Sequence, residues 1–380
     1  MVPSSRDKVL FTPGPLTTSL AVKQAMLHDA GSWHWEFNAL VKSIRDRLLA
    51  LAGLDAGEGW ECILLQGSGT FGVEAVLASV VPPQGKVLVH ANGAYGERAI
   101  RMLEHHRTPH VAYRTPEDAA PDPVELDRLL ADDPTITHVV AIHCETTTGI
   151  LNPIEALGPV VRRHQRVFIV DAMSSFGALP IDFRACGIDY LISSPNKCLE
   201  GVPGFSFVFG RRADFAATAG WARSLSLDLL GQLEGFDKNG QFRYTPPTHS
   251  ILALHQALQE LEMEGGREAR FDRYQANHRT LVAGMTALGF RPYLRTVVQS
   301  CIITSFVFPK DPRFTFDAFY RRLSDEGHII YPGKISQADT FRIGSIGRIF
   351  PSDVLNLVAA VQRVIDAMQV RPDAGGSSAS

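Results

Sequence analysis

The sequence predicts an α/β protein in which helices cover both faces of a mostly parallel sheet, followed by a smaller α+β domain. Short apolar runs alternate with segments of helix length through the middle of the chain, which is typical of a parallel sheet with crossover helices. The runs are apolar at nearly every position, as expected of strands buried on both faces. After about Gly240 the pattern changes to longer helical stretches and isolated strand-like segments. Ligands of such sheets bind at the carboxyl ends of the strands.

The predicted elements fall into four consecutive parts. Residues 1–20 are short and Pro-rich, with T-P-G-P at 12–15, and are interpreted as an extended N-terminal arm. Residues 21–250 are predicted to form the large domain, and residues 251–370 the small C-terminal domain. Residues 371–380 are of low complexity and are expected to be disordered.

Individual strands and helices follow from the apolar runs. The strands predicted for the large sheet span 62–66, 87–89, 138–143, 167–170, 190–193 and 205–209. Helices are predicted near 249–265, 267–288 and 351–368, with strand-like segments at 300–308, 328–331 and 341–343.

Composition excludes several classes of function. The 380 residues have a formal net charge of -3, which predicts no general attraction to nucleic acid or anionic membranes. No run of about 20 apolar residues predicts a membrane span, and the first residues lack the apolar stretch of a signal peptide. Five scattered cysteines without a CxxC pair predict neither a disulfide framework nor a zinc site. We therefore expect a cytoplasmic protein without a metal and without a nucleic-acid or membrane partner.

A glycine-rich turn follows the first strand predicted for the large sheet. The segment L-L-Q-G-S-G-T-F-G passes through Ser68, Gly69 and Thr70 into an amphipathic helix. Glycines let the backbone approach a ligand closely, and the free N–H groups of a helix N-terminus favour a phosphate. The same pattern is also typical of an ordinary strand-to-helix connection, and it matches neither the Rossmann fingerprint nor a Walker A loop. Both interpretations stay open for the turn on its own.

Two later strands end in charged residues. The run R-V-F-I-V-D ends in Asp171, and the run D-Y-L-I-S-S-P-N-K leads to Lys197. A buried carboxylate needs a partner such as a protonated pyridine nitrogen, although an aspartate here is also typical of a helix N-cap or turn. A desolvated lysine has a lowered pKa and reacts with carbonyl groups. Pyridoxal phosphate needs a phosphate anchor, a counter-ion for its ring nitrogen and a Schiff-base amine. The glycine-rich turn would supply the phosphate anchor, Asp171 the counter-ion and Lys197 the amine. This combination predicts pyridoxal 5'-phosphate as the cofactor.

The chain resembles a known enzyme family over most of its length. The matching stretches occur in unbroken order and are LFTPGPLTTS, LLQGSGTFGVEAVL, NGAYGER, ETTTGILNPI, FIVDAMSSFG, DYLISSPNKCLEGVPGF, YTPPTHSILA, IIYPGK and FRIGSIG. They resemble the class V aminotransferase branch of the fold-type I pyridoxal-phosphate enzymes, and most of all the members that use 2-aminoethylphosphonate and pyruvate. The resemblance implies a seven-stranded sheet domain, a smaller C-terminal domain and a homodimer with shared active sites.

The resemblance also implies a role for each matching residue. Lys197 would form the Schiff base and move the substrate proton, and Asp171 would pair with the ring nitrogen. The residues implied to contact the cofactor are Ser68, Gly69, Thr70, Tyr95, Thr147, Asp171, Asn196, Lys197 and, from the neighbouring subunit, Thr245. Arg342 matches the arginine that binds the substrate carboxylate, and a guanidinium suits a carboxylate or a phosphonate equally. A surface arginine on a strand is the other interpretation of Arg342.

One segment departs from the family pattern. Where close relatives carry an acidic run, this chain reads G-S-W-H-W-E-F-N, which includes His34 and Trp35. We interpret this segment as part of the N-terminal arm near the mouth of the site, where His34 is either a surface residue or a determinant of the amino donor. This departure keeps open transamination of a hydroxylated aminophosphonate or of alanine with glyoxylate. Two further alternatives occur on the same fold, namely a pyridoxal-phosphate lyase or desulfurase and a non-catalytic regulator that binds DNA.

Overall fold

The computed structural model describes residues 7–372. Its helices, in chain order, are α1 (Leu20–Ala25), α2 (Trp35–Leu51), α3 (Gly69–Ser79), α4 (Ala94–His105), α5 (Pro123–Asp132), α6 (Ile154–Arg163), α7 (Arg212–Ala216), α8 (Leu229–Asn239), α9 (Thr248–Glu264), α10 (Gly266–Ala287), α11 (Phe316–Asp325) and α12 (Pro351–Ala367). Its strands are β1 (Val9–Leu10), β2 (Trp60–Gln66), β3 (Val87–Ala91), β4 (His110–Arg114), β5 (His138–Ile142), β6 (Cys144–Glu145), β7 (Ile150–Leu151), β8 (Val167–Asp171), β9 (Tyr190–Ser193), β10 (Phe205–Arg211), β11 (Ile303–Val307), β12 (His328–Ile329), β13 (Tyr331–Pro332) and β14 (Thr340–Gly344).

A seven-stranded sheet forms the centre of the large domain. Its strand order is β2-β10-β9-β8-β5-β3-β4. The five strands from β9 to β4 are mutually parallel, whereas β10 runs antiparallel to both β9 and β2. The predicted fold class, a mostly parallel sheet in an α/β protein, is confirmed. The sequence prediction missed β4, an edge strand whose side chains are mostly only partly buried, so its apolar signal is weak.

The strands of this sheet are buried because both faces are covered by helices. Every residue of β3 and β5 is buried, and burial of a Val or Leu side chain contributes about 1.5–3 kcal/mol. Helix α4 turns Ala99, Ile100 and Leu103 toward the core, as the spacing of an amphipathic helix requires. This packing fixes the first turn of α4 at the carboxyl edge of the sheet, next to the end of β8.

A second core lies in the C-terminal part of the chain. A three-stranded antiparallel sheet of order β11-β14-β13 packs with α10, α11 and α12 around aromatic side chains that include Phe290, Phe306 and Phe341. The domain bounds given above stay a prediction; in the structure Leu254 and Leu258 of α9 belong to the core of the large sheet. Of the tail predicted from residue 371, residues 373–380 lie outside the described residues. No helix among residues 7–372 is long and apolar enough to cross a membrane.

The N-terminal arm connects the two cores. Strand β1 pairs in parallel with β12, and the carbonyl oxygen of Phe11 accepts a hydrogen bond from the N–H of Gly344 (2.9 Å). Phe11 is buried in the C-terminal core. The arm then continues toward the loop after β9, so the segment T-P-G-P lies over the carboxyl edge of the large sheet.

A buried ion-pair network holds the loop after β9 against α10. Arg270 is fully buried; its Nε donates to Glu264 Oε2 (2.8 Å) and its Nη1 to the carbonyl oxygen of Cys198 (2.8 Å). Arg273 donates from Nη2 to Glu200 Oε1 (2.7 Å) and from Nε to Glu264 Oε1 (2.7 Å). The network therefore restrains the backbone next to Lys197.

Replacement of Arg270 is expected to destabilise the fold. Arg270→Met leaves Glu264 and the Cys198 carbonyl with fewer partners, and breaking a buried pair costs about 3–5 kcal/mol. Urea denaturation should show a loss of this size in the free energy of unfolding. The matched control is Arg267→Met, one turn earlier on the same helix, whose side chain is 31% exposed and whose loss should cost less than about 1 kcal/mol. Equal effects of the two substitutions would contradict the prediction.

Candidate active site

A cavity lies at the carboxyl edge of the large sheet, between the first turns of α3 and α4. It is lined by seven of the residues singled out from the sequence, namely Ser68, Gly69, Thr70, Tyr95, Asp171, Asn196 and Lys197. These residues lie at or shortly after the carboxyl ends of β2, β3, β8 and β9. The arrangement agrees with the rule that ligands of parallel sheets bind at the ends of the strands.

The glycine-rich turn leads from β2 into the N-terminus of α3. Ser68 is the N-cap residue, and its side chain makes no capping hydrogen bond. A Cβ atom at Gly69 would lie 2.3 Å from the sulfur of Met173, so only glycine allows the turn to pack this closely against the segment after β8. The N–H groups of a first helical turn have no partner inside the helix. The turn therefore presents unpaired N–H groups and two hydroxyls, which suit a phosphate.

Asp171 and Lys197 face the same cavity from neighbouring strands. The Oδ1 atom of Asp171 accepts a hydrogen bond from the N–H of Met173 (2.9 Å), and burial raises the pKa of this carboxyl to about 6. Lys197 Nζ donates to the carbonyl oxygen of Pro13 (2.6 Å), and burial lowers the pKa of this amine to about 8. The two side chains form no ion pair within residues 7–372. A reactive amine and a separate buried carboxylate thus face a common space.

The arm touches Lys197 at a second point. A Cβ atom at Gly14 would lie 2.6 Å from both Cδ and Nζ of Lys197, and the φ angle of Gly14 is +119°. Both observations require glycine at this position. The sequence prediction placed the arm near the mouth of the site but gave Pro13 and Gly14 no role there.

Tyr95 is fixed by a buried carboxylate. Glu145 Oε2 accepts hydrogen bonds from the N–H groups of Tyr95 (3.1 Å) and Gly96 (3.4 Å). Thr147 Oγ1 donates to Glu145 Oε1 (2.6 Å) and accepts from the N–H of Ala94 (2.8 Å). Thr147 is fully buried and does not line the cavity, whereas its neighbour Thr146 does.

The other singled-out residues lie outside the cavity wall. Thr245 is exposed, and its carbonyl oxygen accepts a hydrogen bond from Gln66 Nε2 (3.2 Å) beside the glycine-rich turn. Arg342 is buried; its Nε donates to the carbonyl oxygen of Pro332 (2.9 Å) and its Nη1 to that of Thr146 (2.6 Å). The second contact brings Arg342 against a residue of the cavity wall.

The interpretation of His34 and Trp35 as part of the arm is wrong. His34 is the N-cap residue of α2, and its ring accepts a hydrogen bond from the N–H of Glu36 (3.4 Å). Trp35 begins the helix and is 70% exposed. Neither residue lines the cavity. His34 thus has a local capping contact, because the exposed helix N-terminus needs an acceptor.

Comparisons with known proteins decide the family. Residues 20–311 match the family model described as aminotransferase class-V. The chain is 52% identical over 361 residues to proteins named 2-aminoethylphosphonate–pyruvate transaminase from Salmonella typhimurium (strain LT2) and Salmonella paratyphi C, which covers 94% of this chain and 98% of each relative. The chain belongs to the class V aminotransferases.

Solved structures show the same fold for this class V aminotransferase. Ureidoglycine-glyoxylate aminotransferase from Bacillus subtilis superposes with a TM-score of 0.88 at 23% identity, covering 99% of this chain and 97% of that one. Pyridoxamine-pyruvate aminotransferase from Mesorhizobium loti gives 0.86 at 24% identity, covering 97% and 94%. The predicted family is confirmed, and this family is pyridoxal-phosphate-dependent. Within residues 7–372 no group of three or more His, Cys, Asp or Glu residues is placed to hold a metal ion.

Arg98 lines the cavity of this class V aminotransferase but was missed in the sequence. Its Nη1 donates to Thr70 Oγ1 (3.1 Å), and its guanidinium carbon lies 4.9 Å from the centroid of the Tyr95 ring. The sequence could have indicated Arg98, because residues three apart on a helix share a face. Arg98 follows Tyr95 by three positions in NGAYGER.

The lowered pKa of Lys197 gives a prediction for the enzyme freed of cofactor. Competitive acetylation at trace reagent, read by mass spectrometry, should give half-maximal reactivity of Lys197 near pH 8, because the uncharged amine is the nucleophile. Reactivity rises as the pH passes upward through this value. Exposed Lys310 in the same sample is the internal control for the reagent. Identical profiles for the two lysines would contradict the prediction.

Proposed function

We propose that this class V aminotransferase moves the amino group of 2-aminoethylphosphonate to pyruvate, giving phosphonoacetaldehyde and L-alanine. The observation that carries the proposal is the 52% identity over 94% of the chain to transaminases named for this reaction. The cavity supports it, because a reactive amine, a buried carboxylate and a phosphate-sized turn surround one space.

The cavity fits pyridoxal 5'-phosphate. Ser68, Gly69, Thr70 and Asn196 would hold the phosphate, and the N-terminus of α3 would add its positive end. Asp171 would pair with the ring nitrogen and Tyr95 would stack on the ring. Thr147 does not line the cavity, so it would act through its hydrogen bonds to Glu145 and to the N–H of Ala94. An unpaired buried hydroxyl, Ser194 Oγ, also faces the cavity, and buried polar atoms normally have a partner.

Bound pyridoxal phosphate supplies an aldehyde that condenses with amines and a ring that withdraws electrons. Lys197 is suited to move the proton of the reaction, since an amine with a pKa of about 8 exchanges protons readily near neutral pH. It would take the proton from the substrate carbon that bears the amino group. The carbonyl of Pro13 orients this amine through its hydrogen bond.

Arg342 would bind the anionic end of each substrate. Two of its donors are held by the carbonyl oxygens of Pro332 and Thr146, which fixes the plane of the guanidinium. The positively charged group then meets the phosphonate of the donor and the carboxylate of pyruvate in turn.

We further propose a homodimer in which Thr245 contacts the cofactor of the partner subunit. Thr245 is exposed beside the glycine-rich turn, and two large apolar side chains nearby, Phe71 and Tyr244, are 51% and 42% exposed. Exposed apolar groups of this kind are typical of a subunit interface. Sedimentation of the cofactor-loaded protein tests the assembly.

A cytoplasmic location is likewise proposed, and the five unpaired cysteines agree with a reducing compartment.

The lyase and desulfurase alternatives receive no support from the cysteines. All five are buried, and Cys144, which lines the cavity, has its pKa raised to about 12 by burial. A thiolate nucleophile requires a lowered pKa and access to solvent. The structure offers no cysteine with these properties among residues 7–372.

A two-step assay tests the proposed reaction. Addition of 2-aminoethylphosphonate alone should convert the bound cofactor to its amine form, and pyruvate should then restore the starting spectrum with release of alanine. Cofactor-loaded enzyme that forms no alanine at millimolar donor would overturn the proposal. A donor panel with hydroxylated aminophosphonate and with alanine plus glyoxylate distinguishes the alternatives through their kcat/KM values.

A further inference from the structure

Two cations lie close to the ring of Tyr95. The guanidinium carbon of Arg98 lies 4.9 Å from the ring centroid, and Lys334 Nζ lies 5.8 Å from it. Both distances fall within the range of cation–π contacts. Arg98 belongs to the large domain, and Lys334 belongs to the loop after β13. Two positive charges from separate parts of the chain therefore lie near the Tyr95 ring, which lines the cavity.

The position of Lys334 is set by the hairpin that also carries Arg342. Strand β13 pairs with β14 so that Tyr331 lies opposite Arg342, and Arg342 Nε donates to the carbonyl oxygen of Pro332. The next residue, Gly333, donates its N–H to the carbonyl oxygen of Thr340 (2.9 Å), and a Cβ there would lie 2.2 Å from that oxygen. Lys334 follows directly, so the same backbone holds both cations.

A contact with the large domain holds the Lys334 loop at its other end. Ser336 donates from its N–H (2.9 Å) and its hydroxyl (3.0 Å) to Glu117 Oε2. The loop thus bridges from the small sheet to the segment before α5. This contact restrains the loop in which the ammonium of Lys334 lies near the Tyr95 ring.

Lys334 has no ion-pair partner among residues 7–372. Burial, followed by the charges of Arg342 and Arg98, holds its pKa below the ordinary value, while Glu145 opposes this effect. Three cations that repel one another beside the cavity favour binding of an anion there. The hydrogen bonds of Glu145 to Thr147, Tyr95 and Gly96 already engage that carboxylate.

The two substrates of the proposed reaction differ in their anionic groups. A carboxylate has two oxygens and one charge, which a single guanidinium matches. A phosphonate has a third oxygen and can carry a second charge, so it gains from a second cation. A lysine supplies a compact point charge that suits this purpose.

We propose that Lys334 is a specificity-determining residue that binds the phosphonate of the amino donor together with Arg342. The carboxylate of pyruvate depends on Arg342 and much less on Lys334. This inference rests on the proposed function, since it assigns a partner to the phosphonate of that reaction.

The test compares the two half-reactions in Lys334→Gln, Lys334→Arg and the control Lys310→Gln, which makes the same charge change on the exposed surface. Lys334→Gln should lower kcat/KM for 2-aminoethylphosphonate about 10- to 100-fold, the size expected for a hydrogen bond between charged groups. Its kcat/KM for pyruvate should change less than about threefold. Lys334→Arg should recover most of the loss, and Lys310→Gln should match wild type.

Binding of unreactive analogues gives a second readout. Binding of ethylphosphonate and of propionate to the cofactor-loaded enzyme is measured by calorimetry. Lys334→Gln should weaken the binding of ethylphosphonate and leave that of propionate unchanged. Equal losses for both substrates, or no loss for either, would overturn the role of Lys334 while leaving the proposed function intact. Wild-type enzyme that does not convert 2-aminoethylphosphonate would overturn the proposed function and this inference with it.

Discussion

Lys197→Ala should abolish turnover, with kcat more than about 10³-fold below that of wild type. The substitution removes both the amine that attaches the cofactor and the group that moves the substrate proton, and general acid–base catalysis alone contributes about 10²- to 10⁴-fold. Steady-state alanine formation from 2-aminoethylphosphonate and pyruvate measures the effect. The variant should lose its catalytic activity but keep the fold around the cavity.

The fold should tolerate this substitution. Burial lowers the pKa of Lys197 from 10.5 to about 8, so the charged amine is less stable in the folded protein than in the unfolded chain. Because the unfolded chain binds this proton more tightly, stability rises with pH between about 8 and 10.5. Removal of the amine relieves a desolvation cost on the order of 3 kcal/mol at pH 7, which offsets the lost hydrogen bond to Pro13.

Two control variants separate chemistry from charge. Lys197→Arg keeps a cation but has no reactive amine, and it should be as inactive as Lys197→Ala. Lys310→Ala removes an exposed lysine and should keep wild-type kcat. Appreciable activity in Lys197→Ala would show that a different group carries the chemistry.

The sequence predicted the parts of the structure that burial alone determines. Strands such as β5 and β8 are apolar at nearly every residue because both faces are covered, and that signal is local. The ends of β8 and β9 follow from the same runs, so Asp171 and Lys197 could be placed at one edge of the sheet. The antiparallel direction of β10 could not be predicted, because an apolar run does not indicate the direction of its strand. Its reversal fits the short connection 194–204, because a parallel crossover usually needs a dozen or more residues.

Contacts between distant segments could not be predicted. The carbonyl of Pro13 reaches Lys197 across 184 positions of the chain, and no periodicity encodes such an approach. Thr146 and Thr147 are identical neighbours, and only the backbone path decides that the first lines the cavity and the second bonds to Glu145. Lys334 owes its position to the pairing of β13 with β14 and to the Ser336–Glu117 contact. Each of these features depends on how separate elements pack.

Asp171→Asn should lower kcat/KM about 10²- to 10⁴-fold. Removal of one partner from a buried charge pair costs about 3–5 kcal/mol, and each 1.36 kcal/mol in the barrier is tenfold in rate. In the proposed site that partner is the protonated ring nitrogen, which a neutral amide does not stabilise. The affinity for the cofactor should fall as well, which titration of the cofactor-free variant measures.

The control for Asp171→Asn is the same substitution at Asp189, the residue directly before β9, at the amino edge of the sheet. Asp189 Oδ2 accepts a hydrogen bond from the N–H of Phe168 (2.7 Å), and burial also raises its pKa. Asp189→Asn therefore makes an equal chemical change at an aspartate that contacts β8 away from the cavity, and it should leave kcat/KM unchanged. If both variants lost activity alike, the loss would reflect damage to the sheet. If Asp171→Asn alone loses activity, the carboxylate acts through its charge in the cavity, because the amide preserves the shape of the side chain and its acceptor for Met173.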